Sequence, residues 1–597
     1  MLLAQAVGLA EILVVLLYLL LVVFLGWLGY TRTKTAADYL VAGRKTHPFV
    51  MAMSYGATFI STSAIVGFGG VAGLFGMSVL WLTFCNIFVG IFIAFVLLAP
   101  AARRMGHRLD AHTFPELLAR RFDSRFIQVF AGLVIFLFIP LYAAAVLIGG
   151  CEFISTQFGI DYNVALLVFS VIIAAYVVMG GLKGVMYSDA LQGSIMFVGM
   201  LTLLLFTYSR LGGLTKAHDA LTDLAPLVPG SLQAIGHQGW TAMPKFGFGD
   251  AQYDLWWIVI STITLGVGIG VLAQPQLVVR FMTVKSTREL NRAVAIGGVF
   301  ILIMTGVAFT VGSLSNAYFA QFGPLLKGRV VKVLDQEEGL AVLQIMAPNE
   351  AGAWADVEGK VAPVKLTGEP VEGVGQTEVV SGRSIAIVNA GGNPDQIIPA
   401  YITSAMPKWF GLLFLLTLLA AAMSTLSSQF HTVGTSIGRD VYEQLTGRHG
   451  RSINVNRAGI ILGILIAMLW SYYARGGYII ARATAIFFGL CASAFLPAFV
   501  GGLFWKRMTR PAAIASMLTG FVVTAFWLLF VKAAEAGDIG LVQKLTGGQR
   551  SILANHPNWP VVDPILVALP ISFLVALIVT FMTKPLEKDR LDRCFGR

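Results

Sequence analysis

Four hydroxyls crowd a turn and a half of one long apolar run. Ala421-Ala-Met-Ser-Thr-Leu-Ser-Ser-Gln429 supplies Ser424, Thr425, Ser427 and Ser428. Ser424, Ser427 and Ser428 fall at i, i+3 and i+4, which places them on one helix face. A lone Ser or Thr in such a helix bonds back to a carbonyl one turn earlier. A cluster of hard oxygens is a better set of ligands for a small cation. Backbone carbonyls join such a shell only where a helix is unwound, and two apolar runs carry the residues that unwind one. The first is Ala57-Thr-Phe-Ile-Ser-Thr-Ser-Ala-Ile-Val-Gly-Phe-Gly-Gly70 and the second Leu265-Gly-Val-Gly-Ile-Gly-Val-Leu-Ala-Gln-Pro-Gln276. Glycine and proline at mid-span free backbone groups that lipid cannot satisfy, so these breaks must be buried in protein or line a wet cavity. Ala57 and Ile60 are thereby candidates for the missing carbonyl ligands. The plainer reading of the glycines is close helix packing. Asp189, in Met186-Tyr-Ser-Asp-Ala-Leu-Gln-Gly193, is an intramembrane acid and a functional candidate on that ground, although a carboxylate at a helix start also suits the local dipole.

The elements that position these residues follow from composition. Of 597 residues, 57% are hydrophobic and only 12% charged, against roughly a quarter charged in soluble domains. Several apolar stretches are long enough to cross a ~30 Å hydrocarbon core, so the chain reads as an all-α polytopic membrane protein. Soluble, disordered, collagenous and outer-membrane-barrel readings are excluded. Thirteen spans are expected: Gly8–Tyr30, His47–Gly76, Met77–Ala102, Phe126–Phe158, Val164–Met179, Met186–Tyr208, Leu255–Met282, Ala293–Phe322, Pro407–Asp440, Asn456–Ala474, Tyr478–Trp505, Ala512–Val531 and Pro564–Met582. The first has no basic residue before it and reads as a retained helix, not a cleaved signal. The broken runs fall in the second and seventh spans, matching positions of two halves, which is the strongest sequence pointer to a transport site.

The net charge of +11 does not point to nucleic acid, because the basic residues sit at span ends. Most of the 42 Lys and Arg fall on alternate loops. By the positive-inside rule this puts the N-terminus outside and the C-terminus in the cytoplasm of a cell (inner) membrane. The four cysteines, Cys85, Cys151, Cys491 and Cys594, form no framework. The chain divides into a first membrane part, residues 1–322, an extracytoplasmic insertion, residues 323–406, and a second membrane part, residues 407–597. Short β-branched runs with turn residues make the insertion β-rich.

These motifs resemble the sodium:solute symporters. Ala37-Asp-Tyr-Leu-Val-Ala-Gly-Arg44 resembles the segment ahead of that family's first core helix. Gly180–Gly193 resembles its fifth core helix and Gln274-Pro-Gln-Leu-Val-Val-Arg-Phe-Met282 the end of its sixth. Pro407–Gln429 is the most specific match. The resemblance implies a LeuT-like core of two inverted five-helix repeats, with one helix before and two after. It implies a sodium site at Ala57, Ile60, Ala421, Ser424 and Thr425, and a second, found in some members, at Asp189, Ser424, Ser427 and Ser428. Na⁺ is then the coupling ion, with no organic cofactor, and the partners are the bilayer and a small organic solute.

For the solute, Ser61–Gly70 resembles the pantothenate and monocarboxylate carriers, so the main expectation is a small carboxylate. Arg482, at the start of the eleventh span, fits a bidentate carboxylate partner, against the plainer reading that it snorkels to the interface. Ser61, Ser63, Trp81, Thr83, Tyr142 and Gln274 complete the expected lining, each also compatible with simple packing. His431 alone on an apolar helix reads as core. The alternatives are a proton-coupled carrier of the same fold, a proline-type amino-acid solute, or a solute sensor. No GxxxxGK[ST] loop is present, which argues against an ATP-driven pump, and nothing suggests an enzyme.

Overall fold

The computed structural model describes residues 9–348, 354–370, 379–448 and 452–596. Gly8 of the first expected span, residues 349–353 and 371–378 of the insertion, and Arg597 lie outside the described residues. Helix α1 (Leu9–Thr31) runs along the periphery with Leu17, Leu20 and Trp27 exposed, as a lipid-facing helix requires, while Tyr18 and Val22 face the protein. Next comes α2 (Pro48–Phe59), with proline in its first turn and the His47 ring accepting the Phe49 N–H. It stops at Ile60, whose backbone is extended (φ −90°, ψ 110°). The chain resumes as a π-helical stretch, Ser63–Phe68, and α3 (Gly69–Phe75).

Helix α4 (Phe114–Phe122) is short and lies between membrane segments; α5 (Arg125–Phe158) and α6 (Tyr162–Arg210) are long. The 49 residues of α6 are interrupted at Gly181, where φ is +58°, a conformation glycine alone adopts without strain. The second break is a π-helical stretch, Ile258–Val267, followed by tight turns to an extended Gln274 and then α7 (Pro275–Phe281). Proline at the head of α7 forbids continuation of the preceding helix. Helix α8 (Thr287–Phe322) starts from a Ser286–Glu289 capping box.

Strands β1 (Leu326–Asp335), β2 (Leu340–Pro348), β3 (Trp354–Pro370) and β4 (Val380–Ser384) form a closed antiparallel barrel. Val342 pairs with Pro363, Val364 with Ser384, and Gly328 with Val380. Closure removes the free edges that an inserted sheet would otherwise expose. The barrel has a small core of its own, Leu343, Ala362 and Val364. The chain then returns to the membrane part through α9 (Ile397–Ala405) and α10 (Lys408–Thr435), which runs on as a π-helical stretch, Ser436–Tyr442. Among the helices that follow are α11 (Ser452–Tyr473), α12 (Ile479–Phe504), α13 (Arg510–Phe526), α14 (Ala533–Ile539) and α15 (Ile565–Met582).

Among the described residues, eleven helices are long and apolar enough to cross a membrane, so the expected thirteen are not reached on that measure. The difference falls where sequence placed Val164–Met179, an apolar segment that is too short and is fused through Gly181 into α6, and at the interrupted second span. Helix α10 is the central post: it packs on α6, α5, α11 and α2, while α8 closes against α2 and α3. The break glycines also serve close packing. A Cβ on Gly70 would lie 2.1 Å from the Pro394 carbonyl oxygen, and one on Gly270 2.5 Å from the Phe488 Cβ. For these two glycines the packing reading holds: both are helical, and the chain departs from helix at Ile60 and Gln274 instead.

Candidate cation and solute site

At the end of α2 the helix runs out of successive N–H donors, and side chains of α10 take the freed carbonyls. Ser424 Oγ donates to the Ala57 carbonyl (2.8 Å), and Thr425 Oγ1 lies 3.2 Å from the same oxygen and 3.1 Å from the Thr58 carbonyl. Ser424 Oγ is also 3.1 Å from the Ala421 carbonyl. Ala57, Ala421, Ser424 and Thr425 are thus brought together, all buried, with Ile60 three residues past Ala57 at the turn itself. The result is a group of carbonyl and hydroxyl oxygens carrying no formal charge. Such hard, neutral oxygens replace the hydration shell of a small alkali cation without binding it too tightly to release.

One turn further along α10 the chemistry changes. Asp189 Oδ2 accepts from Ser54 Oγ (2.6 Å) and faces Thr58 Oγ1 (3.4 Å), and it is salt-bridged to Arg280 Nη2 at 3.0 Å. The same Nη2 lies 2.5 Å from Thr58 Oγ1 and 2.6 Å from Ser428 Oγ, while Arg280 Nε donates to Ser54 Oγ (2.9 Å) and Nη1 to the Gln276 carbonyl (2.5 Å). Arg280 and Asp189 are both fully buried. The shell expected for a second sodium is therefore bridged by the protein's own guanidinium. Asp189 and Ser428 meet there; Ser427 bonds back to the Ser424 carbonyl (3.0 Å) instead. Sequence reasoning missed Arg280, Ser54 and Thr58. The signal was present: Arg280 is a cation inside the apolar Gln274–Met282 run, and a buried charge must find a partner.

The expected solute lining separates into two groups. Ser61 and Ser63 hydroxyls are 2.6 Å apart in the first break. Tyr142 of α5 faces them and packs its ring on Phe487 and Phe488 of α12. Gln274, in the second break, accepts from Gln276 Nε2 (2.8 Å) and has its own Nε2 without a partner. Thr83 is buried with an unpartnered hydroxyl and turns toward Gly306 of α8. Gln429, beside Ser428, is buried with neither amide atom partnered and was not anticipated. Buried polar atoms without partners are few in folded proteins, which makes these amides candidates for contact with a polar solute.

Two expected residues lie elsewhere. Trp81 is 49% exposed, and its indole N–H points to Met243 Sδ (3.1 Å) of the long connection before the second break. Arg482 gives its fork to two carboxylates of the protein, Glu535 Oε1 (3.0 Å) and Asp538 Oδ2 (3.0 Å) of α14. It neither snorkels free nor faces Tyr142. The reason is local: the short helix α14, between α13 and α15, carries Glu535 and Asp538 over the start of α12, a contact that no periodicity announces.

Two interrupted helices facing a hydroxyl-bearing helix within a membrane bundle define the class of secondary transporters with a LeuT-like core. The sodium:solute symporter family profile matches residues 39–348 and 366–520, and the chain belongs to that family. The unmatched residues 349–365 lie within the insertion. The chain is 25% identical over 530 residues to an osmoregulated proline transporter of Bacillus subtilis, covering 87% of this chain and 89% of that one. It is 24% identical over 554 residues to sodium/proline symporter 2 of Staphylococcus saprophyticus, with 91% of each covered. Among solved structures it is similar to a Na⁺-coupled sialic acid symporter in a substrate-bound outward-open state, at TM-score 0.67 and 17% identity over 98% of this chain and 99% of that one. This last likeness confirms the fold.

Proposed function

We propose that the protein is a sodium-coupled importer of a small amino acid, proline foremost, taking one Na⁺ per solute at the Ala57, Ile60, Ala421, Ser424 and Thr425 oxygens. The observation that carries this reading is the pair of α10 hydroxyls bonded to the freed carbonyls of broken α2. The small-carboxylate expectation gives way to the amino-acid alternative because the similar curated proteins carry proline, and Arg482, its main support, is committed to Glu535 and Asp538. A zwitterionic solute suits the hydroxyl pair of Ser61 and Ser63, the Tyr142 phenol and the neutral amides of Gln274 and Gln429, none of which carries a charge. The Asp189–Arg280 pair is a charge-neutral brace holding α2, α6, α7 and α10 together beneath the ion. The face bearing most basic loops is cytoplasmic.

The physical logic of coupling follows. Binding Na⁺ at the break replaces two hydroxyl-to-carbonyl bonds between α2 and α10 by ion contacts. It thereby fixes the unwound segment whose next residues, Ser61 and Ser63, meet the solute. A ligand shifts a conformational equilibrium only by its differential affinity for the two states, and these shared residues give ion and solute the same preference. One Na⁺ moving down a tenfold gradient yields about 1.4 kcal/mol, and one charge crossing 100 mV about 2.3 kcal/mol. Together they sustain roughly a 500-fold gradient of a zwitterion. Uptake of labelled proline, other amino acids, monocarboxylates and sugars into proteoliposomes, with sodium or with choline outside, tests the reading. Sodium-dependent proline uptake is expected; uptake that is indifferent to sodium and follows pH would favour proton coupling.

A further inference from the structure

Below the Arg280 brace lies a small cleft outside the proposed ion and solute sites. One wall is the lower part of α10 and its π-helical extension, which presents Ser428, Thr432, Thr435, Ser436 and Asp440 to it in succession. Asp440 is fully buried. Its Oδ1 accepts from Thr113 Oγ1 (2.7 Å) and Gln128 Nε2 (2.9 Å), while Oδ2 has no partner. The charged groups around it are committed elsewhere. Arg439, its chain neighbour, is turned to Glu116 (3.0 Å) and Glu443 (3.7 Å). Arg120 holds Glu116 Oε1 (2.5 Å), and His112 lies 3.7 Å from Glu116 Oε2 and 3.6 Å from Asp110. Arg280 closes the upper end on Asp189. Asp440 is thus a buried acid with neutral hydrogen-bond donors on one oxygen and, among the described residues, no hydrogen-bond partner on the other.

The geometry points to Asp440 as an inner cation station: a release site for Na⁺, twelve residues or roughly 18 Å along the helix from Ser428, with Oδ2 and the Ser436 hydroxyl as ligands. The intervening Thr432 and Thr435 hydroxyls donate to carbonyls of their own helix (2.8 and 3.1 Å), which leaves their lone pairs facing the cleft. A π-helical stretch widens the turn and shifts which residues share a face, and here Ser436–Tyr442 brings Asp440 onto the wall begun by Ser428. This inference rests on the sodium coupling and orientation proposed above. It adds a third carboxylate-or-hydroxyl position that lies outside both expected sodium shells.

The test is trans-inhibition: proline uptake into singly oriented proteoliposomes of the full chain, driven by fixed external Na⁺, with internal Na⁺ varied. Wild-type dependence on external Na⁺ is measured first; its absence removes the coupling reading and this inference with it. Asp440→Asn keeps the acceptor for Thr113 and Gln128 and removes the charge. It is expected to raise the internal Na⁺ that halves uptake at least fivefold, while half-activation by external Na⁺ stays within twofold. Ser436→Ala, which removes only the second proposed ligand, is expected to move the internal value about twofold in the same direction. An unchanged internal value in sodium-dependent protein, or equal shifts on both sides, overturns the inner station and leaves the main site standing. If Asp440→Asn does not reach the membrane, Ser436→Ala decides alone by the same criterion.

Discussion

The two halves of the hydroxyl strip on α10 are one turn apart and do opposite things. At Ser424 and Thr425 the hydroxyls meet main-chain carbonyls of a broken helix, and among the described residues no charged side chain is bonded to the group. At Ser428 the hydroxyl meets a guanidinium that is itself paired to a buried acid. Both are assemblies of oxygens around a position for positive charge. The lower one carries its own cation, covalently fixed at the end of α7; the upper one, on the reading proposed above, takes a cation from solution. An ion that can leave is what coupling requires, and an ion that cannot is what structure requires. The same residue type on the same face therefore serves a brace at Ser428 and, as proposed, a transport site at Ser424, and the partner across the interface is what differs.

Removing the fixed cation's partner should have the largest effect. Asp189→Ala leaves Arg280 buried and unpaired, a change that costs about 3–5 kcal/mol. Thermal unfolding of the purified protein is expected to show severe destabilisation, and Asp189→Asn, which keeps the acceptor for Ser54, a smaller one. Equal, mild effects of both would mean that Arg280 has another counter-ion and that the two halves differ less than the distances indicate.

Next in size are the upper hydroxyls. Ser424→Ala should raise the Na⁺ concentration for half-maximal proline uptake at least tenfold, or about 1.4 kcal/mol. Thr425→Ala should raise it less, since its bonds to Ala57 and Thr58 are longer. Neither should change the melting temperature as Asp189→Ala does. A stability loss without a sodium effect would place Ser424 with the brace.

Asp395 offers a contrast from outside the strip. It lies on the connection between the barrel and α9, buried against α12, where the Ile480 N–H faces it. Burial raises its carboxyl from 3.8 to about 7, and the Glu152 charge adds to the rise. The other charged group here is Arg475, which is paired with Glu152 (2.9 Å) and stacked on the Tyr162 ring; Gln396 also bonds Glu152. A raised acid binds more protons folded than unfolded, so its contribution to stability is full below about pH 4 and is lost as pH climbs through about 7. The unfolding midpoint of the wild type should fall over that interval more steeply than that of Asp395→Asn; parallel curves would show that Asp395 is not the group titrating.

The smallest change is expected at Arg482. Arg482→Lys keeps a charge between Glu535 and Asp538 but loses the planar fork. Proline affinity should stay within threefold. A tenfold loss would return Arg482 to the solute and reopen the carboxylate reading.

Much of the membrane architecture was legible because its signals are local. Runs of apolar residues announce helices, and Pro275 announces where one must restart, whereas the first break falls at Ile60, ahead of Gly67, Gly69 and Gly70, which are helical. The hydroxyl strip was legible because helical spacing alone puts Ser424 and Ser428 on one face. Partners brought from far along the chain were not. Arg280 and Asp189 are separated by 91 residues and Arg482 and Glu535 by 53. No periodicity tells which buried cation meets which acid. Trp81 was misplaced for a related reason: its helix was identifiable, but the direction of one side chain depends on neighbours such as Met243 that lie in a distant connection.

The most direct measurement is the sodium activation curve of proline uptake in proteoliposomes at fixed membrane potential, taken together with the charge moved per proline. Single-ion coupling at the Ser424–Thr425 site predicts a Hill slope of one and one net charge per proline, both lost when choline replaces sodium. A slope near two with two charges per proline would contradict it, and would mean that a second Na⁺ displaces Arg280 from Asp189 during the cycle.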